Sequence, residues 1–199
     1  YGLVNLPTGR MKSREVTVFD ADDILDEMSG LAEKEVRSRY PTLSEKEIKR
    51  RAEFIGLAAI KFFMLKVDPV KDIVFNPEES LSFEGETGPY IQYTHARACS
   101  ILRKAPKKGK SNYVALKEQS EQELILLLSR FSSVVQEAAI QFKIQIVSHY
   151  LLTLAQSFNE FYHSCPVISD DKELMNARLA LVDATRQILA NGLGLLGIH

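Results

Sequence analysis

Cysteine is scarce in this chain of 199 residues: there are two, Cys99 and Cys165. They stand far apart with no CxxC or HExxH partner, which speaks against a zinc site and against a disulfide framework. Both read as reduced thiols. Long hydrophobic runs are missing too. A membrane span needs roughly 20 consecutive apolar residues, and even the stretch from Ile188 to Ile198 is interrupted by Asn191 and three glycines, so a membrane protein is excluded. No charge of one sign dominates: 25 basic and 26 acidic residues leave a net charge of −1. Nucleic-acid binding would therefore depend on local clusters rather than on bulk attraction. The opening, Tyr1 to Leu6, has neither a charged leader nor an apolar signal core, and it reads as the start of a piece cut from a longer chain. What is present is 45% hydrophobic residues, enough for a packed core in one domain plus part of another.

Helical signals dominate after the first twenty residues. Pro7 and Gly9 punctuate an opening loop, and Val16 to Phe19 alternates as a strand. Asp20 is placed to cap a helix over 21–39, whose acidic first turn (Asp22, Asp23) suits the positive end of the helix dipole. Pro41 closes it. Ser44 with Glu47 has capping-box spacing and opens a helix to about Lys66 that buries Ile48, Ile55, Ala59 and Phe62. Asp72 to Phe75 reads as extended, and 76–88, rich in Glu, Ser, Gly and Pro, as a loop. The domain boundary is expected there, between 82 and 83. Pro89 suits the first turn of the next helix, which runs to about Lys104. Three helices follow, near 120–142, 144–163 and 172–195. The last carries Leu174, Leu181 and Ile188 at seven-residue intervals with Ala177 and Ala184 between them, a core stripe of a helix bundle.

The helix after Pro89 separates into two faces. Ile91, Ala98, Ile101 and Leu102 form the buried side. Tyr90, Tyr93, Arg97, Ser100 and Lys104 follow at spacings of three, four, three and four, so they line another. An aromatic and basic face suits RNA, because cations meet phosphates and tyrosine rings stack on unpaired bases. Close by, Arg103, Lys104, Lys107, Lys108 and Lys110 fall within eight residues. Alone, such a run is a solvated loop, and such a face is a helix side with its tyrosines against neighbours; their adjacency is what raises the RNA reading. The segment Gly9-Arg-Met-Lys-Ser-Arg14 is a short basic loop whose amides, hydroxyl and cations could cradle a polyphosphate.

Three stretches resemble the class I arginyl-tRNA synthetases. Tyr1 to Glu15 is similar to their second signature loop, a degenerate Lys-Met-Ser-Lys-Ser motif in which Met11 is the methionine, Arg10 falls at the first lysine, and Lys12, Ser13 and Arg14 fill the rest. Leu81 to Arg97, with its core Pro89-Tyr-x-Gln-Tyr-x-His-Ala-Arg97, and Ser100 to Lys104 look like the entry into the DALR-type anticodon-binding domain of that family. Phe161-Tyr-His-Ser-Cys-Pro-Val-Ile168, Ala177 to Leu181 and Gly192 to Ile198 fit its end. The resemblance covers nearly the whole chain in the correct order.

It implies a mainly α fold: a helical-bundle anticodon-binding domain over 83–199, preceded in 1–82 by the tail of an α/β, Rossmann-type catalytic domain. It implies ATP-driven activation of arginine, with Mg²⁺, and transfer to tRNA(Arg) in the cytoplasm by the whole enzyme; the piece alone is expected to be inactive. Arg10, Met11, Lys12, Ser13 and Arg14 become candidates for the ATP loop, with Lys12, Ser13 and Arg14 on the triphosphate. Tyr90, Tyr93, Arg97, Arg103 and Lys104 are the candidates for tRNA contact. Two departures stand out: Val16 occupies a place where the family usually has glycine, and the family usually runs several residues past the position of His199. The alternatives are another class I synthetase, of the cysteinyl type, and a helical protein-interaction module that uses no nucleotide.

Overall fold

The structure, a computed structural model, describes residues 2–5, 21–106, 109 and 111–199. Among them the chain is mainly α-helical, and it divides into two compact units: Tyr1–Tyr90 together with Leu196–His199, and Ile91–Leu195.

In the first unit, helix α1 (Ala21–Arg39) packs against α2 (Glu45–Leu65). The expected cap of α2 is half realised. Ser44 Oγ accepts the amide of Glu47 at 3.3 Å, but the Glu47 carboxylate turns outward to Arg50 and Arg51 instead of back to the cap. Those guanidinium hydrogen bonds, Arg50 first, hold its pKa down at about 2. Glycine at 56 permits the tight approach of the two helices, since a β-carbon there would stand 3.0 Å from the Met28 carbonyl. Met28, Ala32, Ala52, Ala59, Phe75 and Leu81 form the core between them. Of the expected α2 face, Ile48, Ala59 and Phe62 are buried and Ile55 is half-buried.

The extended piece after α2 is strand β2 (Ile73–Val74), which pairs in parallel with β1 (Val4–Asn5), Val4 opposite Ile73. The 76–88 stretch, expected as loop throughout, contains one helical turn, α3 (Pro77–Ser80). Asn76 Oδ1 accepts the amides of Glu78 and Glu79, and proline follows at the first helical position, the two signals that start a helix even in a polar loop. Leu196 and Ile198 are buried in this unit, where the Lys61 ammonium donates to the Gly197 carbonyl and the His199 ring meets Phe54 edge-on.

The second unit holds most of α4 (Gly88–Lys104), a 3₁₀ turn (Tyr113–Ala115), α5 (Gln119–Ser129), α6 (Phe131–Gln141), α7 (Gln145–Ser164) and α8 (Lys172–Leu195). The single helix expected over 120–142 is two helices that break at Arg130. Ser129 and Ser133 hydroxyls bond the carbonyls of Leu126 and Arg130 there, local hydrogen bonds that compete with a continuous helical ladder. Helix α7 supplies the densest core, with Leu151, Leu154, Ala155, Phe158 and Phe161 all inaccessible.

The expected stripe of α8 is realised in part. Of the expected stripe Ala177 and Leu181 are buried, while Leu174 and Ile188 are half-buried and Ala184 is exposed; Leu179, Val182, Leu189 and Leu193 carry the rest of the core. Gly192 is on the buried side, and glycine suits it because a β-carbon there would stand 2.4 Å from the Leu151 side chain. The same side also buries an ion pair. Arg178 Nε stands 2.7 Å from Glu121 Oε1, and a second guanidinium nitrogen donates to the Pro166 carbonyl. The other Glu121 oxygen accepts the Glu118 amide and completes a capping box at the start of α5.

Candidate nucleic-acid interface

Helix α4 begins where Thr87 accepts the Tyr90 amide on its hydroxyl at 3.2 Å, with Pro89 in the first turn. The expected division of its faces is present: Ile91, Ala98 and Ile101 are buried and Leu102 is half-buried. On the other side Tyr90, Tyr93, Arg97 and Ser100 are half-buried, and Arg103 and Lys104 are exposed in the last turn.

Arg97 is the centre of this face. One terminal nitrogen of its guanidinium donates to Asn159 Oδ1 at 2.8 Å, the other to the Tyr93 hydroxyl at 3.0 Å. The guanidinium carbon lies 4.8 Å from the Tyr93 ring centre and 5.5 Å from that of Tyr162. Asn159 is itself oriented from behind, its Nδ2 reaching the buried Thr94 hydroxyl at 3.3 Å. Arginine, not lysine, fits such a place, because its planar fork serves two acceptors while its face lies against aromatic rings. These hydrogen-bond partners are neutral, and among the described residues no carboxylate forms an ion pair with Arg97, so its positive charge is fixed in direction without being cancelled there. A cation held between two tyrosines can meet a phosphate or the edge of an unpaired base.

Beyond α4, Gly109 and Ser111 are bonded to α8. The Gly109 amide donates to Asn176 Oδ1 at 3.0 Å and the Ser111 hydroxyl to the Asn176 carbonyl at 3.1 Å. A residue later, Asn112 Nδ2 donates to Glu173. Lys107, Lys108 and Lys110 lie outside the described residues, as do all five ATP-loop candidates, Arg10, Met11, Lys12, Ser13 and Arg14. His95, also on α4, has its pKa held below the ordinary value by burial and then by the charge of Arg186, so at neutral pH it is an uncharged ring beside Cys99 Sγ, 3.8 Å away. It adds no cation to the face.

Of the five tRNA candidates, the structure joins Tyr93 and Arg97 in one cluster, sets Tyr90 on the first turn of α4 and leaves Arg103 and Lys104 as exposed cations at its end. Sequence reasoning missed Asn159, Tyr162 and Asn176. One signal existed for Asn159: an amide between Phe158 and Phe161, in the apolar run of α7, must find a hydrogen-bond partner.

The class these features define is an all-helical bundle with an aromatic and cationic face on one helix. The family model described as "DALR anticodon binding domain" matches residues 91–199, and the chain belongs to that family. Among curated proteins it is 43% identical over 205 residues to an arginine–tRNA ligase of Treponema pallidum, a match covering 98% of this chain and 35% of that protein. A ligase of the same name from Methanosarcina mazei is 42% identical over 205 residues, covering 100% of this chain and 36% of the relative. The chain thus spans about 35% of the length of these curated relatives. Among solved structures, an arginyl-tRNA synthetase of Thermus thermophilus matches with a TM-score of 0.90 at 39% identity, over 100% of this chain and 34% of that one. That of Plasmodium falciparum matches with 0.82 at 25% identity, over the same shares.

Proposed function

We propose that this chain is the C-terminal part of an arginyl-tRNA synthetase, in which the Ile91–Leu195 unit grips the anticodon end of tRNA(Arg). The observation that carries the reading is the Tyr93–Arg97–Asn159 cluster: an oriented, uncancelled guanidinium between tyrosine rings, on the helix that opens the family's anticodon-binding domain. Residues 1–82 are then the end of the catalytic domain, and 83–199 the anticodon-binding domain. Arg10 to Arg14 form the loop that closes on Mg·ATP as substrate while arginine is activated, Lys12, Ser13 and Arg14 touching the triphosphate. Tyr90 extends the stacking surface, and Arg103 and Lys104 supply phosphate contacts. The whole enzyme works in the cytoplasm; among the described residues no helix is long and apolar enough to cross a membrane. The cysteinyl and protein-interaction alternatives are not favoured, since the relatives named above are arginine ligases.

The test is a set of single variants assayed for tRNA(Arg) binding with the fold checked by circular dichroism. Tyr93→Ala removes one stacking ring, worth ~1–3 kcal/mol, and so weakens binding by roughly 5- to 150-fold. Arg103→Ala, at the exposed end of α4, lowers affinity and reduces the slope of log affinity against log salt by about one. Unchanged binding in a folded Tyr93→Ala protein would remove the α4 face from the account.

A further inference from the structure

The α4 cluster does not account for the basic run that follows it in the sequence, Lys107, Lys108 and Lys110. Two chain neighbours of those lysines, Gly109 and Ser111, are held by one residue of α8. Asn176 uses both its side chain and its main chain for this: its Oδ1 accepts the Gly109 amide at 3.0 Å, and its carbonyl accepts the Ser111 hydroxyl at 3.1 Å. Three positions earlier on the same helix, Glu173 accepts Asn112 Nδ2 at 3.1 Å. Asn112 in turn caps the 3₁₀ turn, its Oδ1 accepting the Val114 amide. Gly109, Ser111 and Asn112 are thus fastened to two residues that share one face of α8.

Glycine suits position 109 because a β-carbon there would stand 2.7 Å from Asn176 Nδ2, and Asn176, only 9% accessible, is enclosed by the fold. A connection that does no more than join α4 to the 3₁₀ turn has no need of this fastening, since surface loops can satisfy their amides with water. The surrounding sequence has a marked charge. Between Glu86 and Glu118 it holds seven arginines and lysines and no aspartate or glutamate, in a chain whose net charge is −1. Such a local excess of one sign selects a polyanion, which releases its counterions when the cations reach its phosphates.

We propose that Asn176 is a positioning residue for tRNA, holding the backbone at Gly109 and Ser111 so that the lysines beside them in the chain, Lys108 and Lys110, meet phosphates of the bound RNA. This role rests on the anticodon-binding function proposed for the unit and adds to it a point of contact outside the α4 face. Lysine reaches a phosphate on a flexible stem, and the entropy lost on binding grows when backbone torsions must be fixed as well. With hydrogen bonds on both sides of Lys110 in the chain, part of that freedom is gone before RNA arrives, so less affinity is given up on binding. Asn176 itself touches no phosphate in this account; it acts through the residues it holds.

The experiment measures binding of the full chain to tRNA(Arg) over a range of salt for the parent, Asn176→Ala, Lys110→Ala and the double variant, with the fold followed by circular dichroism. In the parent background Lys110→Ala lowers the slope of log affinity against log salt by about one. Asn176→Ala weakens binding by about three- to tenfold with helical content unchanged. Once Asn176 is gone, adding Lys110→Ala changes affinity by less than about twofold, because the two residues act as one unit. Tyr93→Ala, at a separate contact, weakens binding by the same factor with and without Asn176, which a general loosening of the domain would not give. Gly109→Ala repeats the test without altering α8: its methyl group displaces the Asn176 side chain, so it weakens binding in the parent and has no effect in the Asn176→Ala protein, where the space is open. Parent affinity in a folded Asn176→Ala chain, or an equal effect of Lys110→Ala in both backgrounds, overturns the proposal. A parent chain that binds no tRNA overturns it together with the anticodon-binding function, whereas binding that depends on Tyr93 and ignores Asn176 and Lys110 overturns this proposal alone.

Discussion

Arg178→Met leaves a buried carboxylate without its cation, and the cost can be worked from the structure. The Arg178 and Glu121 side chains are 8% and 0% accessible and lie 2.7 Å apart. Methionine preserves much of the apolar stem but removes the guanidinium, so Glu121 keeps only the Glu118 amide, and the Pro166 carbonyl loses its donor. Stripping one partner from a buried pair costs about 3–5 kcal/mol, against a total of about 5–15 kcal/mol for a whole domain. At about 4–8 °C per kcal/mol for a unit of this size, the melting temperature falls by at least ~12 °C. Glu121→Gln keeps an acceptor for the cap and gives up only the charge, so it costs less, about 1–3 kcal/mol. Because both single changes break the same pair, the double variant Arg178→Met with Glu121→Gln is less damaged than their sum by at least about 1 kcal/mol. Urea denaturation of the four proteins completes the cycle. A loss under 1 kcal/mol in Arg178→Met, or strict additivity, would refute the view that this pair pins α5 to α8.

Other perturbations follow from the packing and the titrating groups. Gly192→Ala should destabilise by about 1–3 kcal/mol in chemical denaturation although alanine is the better helix former, because its methyl group meets the buried Leu151; a gain in stability would show that Leu151 has room to move. Phe142→Gly should stabilise by about 1 kcal/mol, since it relieves the left-handed strain and exposes no new apolar surface, and a measured loss would mean the ring packs in the folded state. Burial first, and Arg186 second, hold the pKa of His95 below 6.5, so as pH falls below that value the unfolded chain takes up the proton first. Stability is thus full above pH 6.5 and declines as the pH drops toward the folded value. His95→Gln should flatten this decline in denaturation midpoints taken between pH 5 and pH 7.5; equal slopes in parent and variant would contradict it.

Local signals made much of this fold legible. The acidic first turn and Pro41 bound α1 at its observed limits, Ala21–Arg39, and the Lys172–Leu195 span of α8 was readable from its periodicity. The misplaced details were tertiary in origin. Leu174 and Ile188 looked like core by size, yet α8 turns so that Gly192 meets Leu151 and Arg178 meets Glu121, a constraint visible only once α5 and α7 are in place. The break at Arg130 depended on serine hydroxyls choosing the backbone over solvent. In the candidate interface, the α4 side carrying Tyr93 and Arg97 could be read from spacing, whereas Asn159 and Tyr162, 62 and 65 positions beyond Arg97, could not be joined to it without coordinates.

The central claim, that the helical unit reads arginine tRNA, is tested most directly by titrating the chain with tRNA(Arg) and with a non-cognate tRNA at two salt concentrations. Tighter binding to tRNA(Arg) is expected, with log affinity falling linearly with log salt as phosphate contacts are lost. Binding to neither tRNA, or affinity that ignores salt, would contradict it.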